Sequence, residues 1–106
     1  MIIALATNEN NLNAVVNPHF GRCNWYCLYD TETHKNSFIE NPALNHQGQT
    51  GCEAAELLLG KKVSMAIAGR FGSKVAEVFR QNNIQMIIPE TQQTLSEIIN
   101  KIKQYK

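Results

Sequence analysis

The chain has 106 residues, 43% hydrophobic and 18% charged, which is enough for one hydrophobic core with little room for a second. A formal net charge of +1 with scattered lysines offers no basic stripe for nucleic acid, and no apolar run reaches the ~18 residues of a membrane span. Three cysteines, an odd number, fit a reducing compartment with free thiols better than a disulfide framework.

Residues 1–6 read as a buried strand with no basic, cleavable leader pattern before it, so a single cytoplasmic domain over residues 1–106 is expected. The spacing predicts the first strand over 2–7, followed by a polar loop over 8–13. Strands over 25–31 and 37–41 flank the polar turn Glu32-Thr33-His34-Lys35, a hairpin signal. Thr50 and Glu53 have capping-box spacing, with Thr50 as N-cap, ahead of a helix carrying Ala54, Ala55, Leu57, Leu58 and Leu59 and stopping near Gly60. A strand over 63–68 leads through Gly69-Arg70-Phe71-Gly72 into a second helix with Val75, Ala76, Val78 and Phe79, ended by Asn82-Asn83. A fifth strand over 84–88 stops at Pro89, and Thr94 with Glu97 repeats the capping box before a third amphipathic helix.

The order β-β-β-α-β-α-β-α predicts an α/β fold, a mixed five-stranded sheet with three helices. Right-handed crossovers make the third, fourth and fifth strands parallel, and the hairpin makes the second antiparallel to the third. The second strand therefore begins at the sheet edge where the third and fourth end. Residues 19–23, 46–52 and 69–72 all fall at that edge, where open α/β sheets bind ligands.

Those segments carry the chemistry. His19-Phe20-Gly21-Arg22-Cys23 and His46-Gln47-Gly48-Gln49-Thr50-Gly51-Cys52 each hold an imidazole, a thiol and glycine, a soft-metal ligand set. His19, Cys23, His46 and Cys52 are the candidate ligands, and the first turn of a helix should favour the Cys52 thiolate. Against this stand the plainer readings of a backbone-bonded His19, a solvated His46 and small buried cysteines. Four residues of extended strand advance ~13 Å, so Cys27 is not expected to share an ion with Cys23 and reads as core. Arg22 offers a fork of donors to an anion, and Gly21, Gly48, Gly51, Gly69 and Gly72 allow backbone to approach a ligand. Residues 69–74 lack the spacing of a nucleotide phosphate loop, so ATP hydrolysis is not expected, but the Gly72 and Ser73 amides suit a general anion contact.

Through His19-Phe20-Gly21-Arg22, the strand ending Tyr29-Asp30, Glu40-Asn41-Pro42, the stretch from Gly48 to Gly51 leading into Ala54-Ala55-Glu56-Leu57-Leu58, and Ala68-Gly69 to Gly72, the chain resembles the nitrogenase iron-molybdenum cofactor carrier and biosynthesis family. The resemblance runs nearly end to end. It implies a ribonuclease H-like α/β fold and a non-catalytic protein that binds or passes on an iron-molybdenum or iron-sulfur type cluster, with a cluster donor or acceptor protein as partner. A small zinc- or anion-binding interaction domain stays open as the alternative, since two His and two Cys also make a tetrahedral set. A nuclease is not expected: two-metal chemistry needs clustered carboxylates, and the chain has one aspartate, Asp30, with its eight glutamates mostly in predicted turns or helices.

Overall fold

The computed structural model describes residues 1–41 and 50–104. Five strands, β1 (Ile2–Thr7), β2 (Trp25–Asp30), β3 (Asn36–Glu40), β4 (Val63–Ile67) and β5 (Gln85–Ile87), form one sheet in the order β3-β2-β1-β4-β5. The helices are α1 (Thr50–Gly60), α2 (Ser73–Gln81) and α3 (Leu95–Gln104), with a short 3-10 turn at Phe20–Arg22. β1 runs parallel to β4, and β4 to β5, whereas β2 is antiparallel to both β1 and β3. Strand directions follow the expectation from sequence. β3 and β4 are nevertheless not neighbours, because β2 and β1 lie between them.

The composition of β1 explains its central place. Ile3 and Leu5 belong to the cluster on the α3 face with Leu95, Ile98 and Ile99, while Ala4 and Ala6 belong to the opposite cluster with Ala54, Ala55, Leu58, Val75 and Phe79. Large residues thus meet one helix, and small ones let two helices sit close to the strand. A strand apolar on both faces must be covered on both.

Local signals set most boundaries. The Thr94 N–H donates to Glu97 Oε1 at 2.9 Å and the Glu97 N–H to Thr94 Oγ1 at 3.2 Å, the expected reciprocal box at the start of α3. Asn83 adopts a left-handed φ of 59° just after α2, as expected of asparagine there. α1 begins at Thr50 itself, so Thr50 is its first helical residue and not its cap, and Cys52 is third. β5 is two residues shorter than the apolar run suggests, and Ile88 is 59% exposed. Among the described residues no helix is long and apolar enough to cross a membrane.

Candidate functional site

The end of β1 lies beside the start of β2, Thr7 opposite Trp25, and the connection between them crosses the edge where β4 also ends. This connection is pinned by its own backbone. The Asn17 N–H donates to the Ala6 carbonyl at 2.7 Å, and the Asn17 carbonyl accepts from the Gly69 N–H at 3.0 Å. The His19 N–H donates to Asn17 Oδ1 at 2.7 Å, and the Phe20 N–H to the Arg70 carbonyl at 3.1 Å. Gly69 is required at this seam, because a Cβ there would lie 2.7 Å from Pro18 Cα.

Phe20 anchors the turn. Its ring is 1% exposed and stacks near Tyr26, Phe71 and Phe79 at centroid distances of 5.0, 5.3 and 5.2 Å. Its carbonyl accepts from Tyr26 Oη at 2.5 Å and from Cys23 Sγ at 3.3 Å. The aromatic cluster therefore fixes the floor, and His19, Gly21 and Arg22 are presented around it.

They open onto a hollow of about 320 Å³ lined by His19, Phe20, Gly21, Arg22, Arg70, Gly72 and Val75. Its electrostatics are one-sided. Two guanidiniums line it with no carboxylate among the lining residues, and among the described residues neither arginine has an ion-pair partner. Gly72 is the N-cap of α2, with no side-chain cap and no acidic residue in the first turn. The free amides and the helix dipole thus add to the positive potential. The arrangement suits a compact multivalent anion, with an exposed imidazole beside it.

The hollow unites His19, Gly21, Arg22 and Gly72 from the sequence-derived set. Gly69 stands at the seam and lines a second hollow with Pro18 and Gln93. His46 and Gly48 lie outside the described residues, and Gly51 and Cys52 are placed as backbone in the first turn of α1. Cys23 is fully buried, in the cluster with Phe20 and Tyr26, and burial pushes its thiol up to about 11. In this arrangement it is a neutral hydrogen-bond donor to the turn, neither a thiolate nor open to the hollow. Cys27 is also buried, in the α3-side cluster, with its thiol pushed up to about 12. Among the described residues no three His, Cys, Asp or Glu side chains gather closely enough to hold a metal ion.

Arg70 was not singled out from the sequence. Its signal is its place between Gly69 and Gly72 in a crossover loop at the ligand edge, the segment already suited to an anion.

Two outcomes follow. Gly72→Asp has open space at its Cβ and φ −65°, so it should cap α2, raise the stability of the free protein by a few tenths of a kcal/mol, and weaken by about tenfold the binding of any multivalent anion in the hollow. Thermal melts and calorimetric titration check both. The second concerns pH: the fold keeps the Cys27 proton to about 12, whereas the unfolded chain releases it from about 9. The unfolded state then binds fewer protons, so the stabilisation is complete below pH 9 and is lost as pH rises from 9 to 12, by on the order of 1 kcal/mol per unit. Urea unfolding at pH 8 and pH 10.5 should show the fall, and Cys27→Ala should make it shallower without abolishing it, because burial also holds the Cys23 thiol up to about 11 and adds a loss of the same sign.

Comparison with known proteins places these features in context. The family model described as dinitrogenase iron-molybdenum cofactor matches residues 1–105. An uncharacterized protein of Methanocaldococcus jannaschii is 33% identical over 89 residues, 81% of this chain and 72% of the relative. Among solved structures, the apo form of the orange protein from Desulfovibrio gigas superposes with a TM-score of 0.89 at 20% identity, covering 98% of this chain and 88% of that one. A NifB-like protein from Thermotoga superposes with a TM-score of 0.82 at 24% identity, covering 97% and 87%. Both structural likenesses establish the shared fold.

Proposed function

Since the chain belongs to the dinitrogenase iron-molybdenum cofactor family, we propose that it is a non-catalytic carrier that binds an anionic metal–sulfur cluster as cargo in the hollow at the sheet edge and hands it to a partner protein. One observation carries this reading: Arg22, Arg70 and the uncapped start of α2 line a single hollow with no carboxylate among its described lining residues. Thiomolybdates and thiolate-ligated iron-sulfur clusters carry net negative charge, and this lining offsets such charge with forked and backbone donors.

The described residues fit such a cargo by charge more than by ligand count. His19 is exposed at the rim and supplies one imidazole toward metal. His46 and Cys52 keep the ligand roles that the sequence suggests. Cys23 would have to leave the core to ligate, so its part here is to hold the turn from beneath. The family match and the existence of an apo form of the orange protein support carriage of a detachable group. Residues 1–106 are read as one cytoplasmic domain. The order β3-β2-β1-β4-β5 with β2 antiparallel supports a ribonuclease H-like description.

The test is reconstitution. Protein purified without oxygen, incubated with iron, sulfide and tetrathiomolybdate and desalted, should retain molybdenum or iron together with acid-labile sulfide and show visible charge-transfer bands. Metal-free protein after desalting, or His19→Ala with Arg22→Gln retaining as much as the parent, would overturn the proposal. Zinc held tightly without sulfide would favour a zinc-binding interaction domain instead.

A further inference from the structure

The 3-10 turn that presents Arg22 cannot hold its own shape. Its internal bond, from the Arg22 N–H to the His19 carbonyl, is 3.4 Å long, and an isolated single turn of this kind is weak. Much of the restraint comes from a residue far along the chain. Asn41, directly after β3, is 5% exposed, and its Nδ2 donates to the Gly21 carbonyl at 3.1 Å and to the Cys23 carbonyl at 2.9 Å. Its own N–H donates to the Asn24 carbonyl at 2.9 Å, so the Asn41 backbone is tied to the residue just before β2.

Gly21 and Cys23 are the residues on either side of Arg22. Their carbonyls are the negative ends of two peptide dipoles, and both are engaged by a buried amide. Left unengaged, those oxygens would be free to turn toward the hollow and oppose a bound anion. We infer that Asn41 is a positioning residue for anion capture, holding the carbonyls of the two residues that flank Arg22 on the core side so that neither opposes an anion in the hollow. The inference rests on the anion-carrier reading and adds to it a residue that does not line the hollow.

Asn41→Asp is nearly isosteric but replaces the two-donor nitrogen with an acceptor facing two acceptors. Asn41→Ala removes the donors without adding charge. The control is a substitution at Ile99, in the core on the α3 face, chosen as Val or Ala to match the stability loss. Tetrathiomolybdate is titrated below the unfolding range of every variant and followed by the fluorescence of Trp25, the chain's single tryptophan at the start of β2. In parallel, amide hydrogen exchange is read at Arg22 and Asn24 without ligand.

The Asn41 variants are expected to bind about tenfold more weakly than the matched Ile99 control, the worth of about one net hydrogen bond, and to exchange faster at the turn than at β1 and β4. Binding equal to the control, or exchange at the turn unchanged, would overturn the role of Asn41. Failure of the unsubstituted protein to bind tetrathiomolybdate overturns the carrier reading instead and removes any role for Asn41 in capture, whatever the exchange result.

Discussion

Phe20→Ala is expected to lower stability by about 3–5 kcal/mol, the largest effect of any single truncation near the site. The ring is 1% exposed and has three aromatic neighbours within 5.3 Å between centroids, so its loss leaves a cavity no side chain can readily fill. Domains of this size are stable by only about 5–15 kcal/mol, so the variant should melt far below the parent. Phe20→Leu keeps most of the volume and should lose less than half as much. Urea unfolding measures both, and a loss under about 1.5 kcal/mol for the alanine variant would mean that the turn is anchored elsewhere. The consequence reaches function because Phe20 sits between His19 and Gly21. Loosening the ring loosens the rim.

The second large effect is electrostatic. Replacing Arg22 and Arg70 together with glutamine should lower affinity for tetrathiomolybdate by about a hundredfold or more, since each charged donor contributes on the order of 1.5–3 kcal/mol. Both side chains are exposed and neither has an ion-pair partner among the described residues, so stability should stay within about 0.5 kcal/mol of the parent. The dependence of affinity on salt should become shallower at the same time. Lysine at both positions restores the charge but not the planar fork, and should recover affinity only in part. Unchanged affinity in the glutamine pair would remove the basis for reading the hollow as an anion site.

How much of this was legible in the sequence depends on the distance over which each cause acts. The capping box of Thr94 and Glu97, the stop at Asn82-Asn83 and the strand periods are local, and they appear where expected. The gathering of the 19–23 and 69–72 segments at one edge followed from strand directions alone. The place of β1 between β2 and β4 did not, because apolar residues on both faces say that a strand is buried and not which strands flank it. Cys23 shows a different limit. Residue type and spacing marked it as a ligand, but the aromatic floor beneath the turn encloses it, and that enclosure depends on Phe20 and Tyr26 meeting in space. Asn41 appeared in the sequence only within the Glu40-Asn41-Pro42 stretch, with no role attached, for the same reason, since it acts through bonds to backbone atoms of another segment.

The starts of α2 and α3, both at this end of the sheet, are treated differently, and that difference has a thermodynamic meaning. α3 closes its first turn with its own side chains, whereas α2 begins at a glycine that supplies none. Whatever anion occupies the hollow completes α2 and so contributes to the folding free energy by mass action. Under the proposed carrier reading, the loaded protein should outlast the empty one under heat or protease, and release of the cargo should leave behind a measurably softer molecule. In a cell, such a protein's lifetime would then be a readout of its own load.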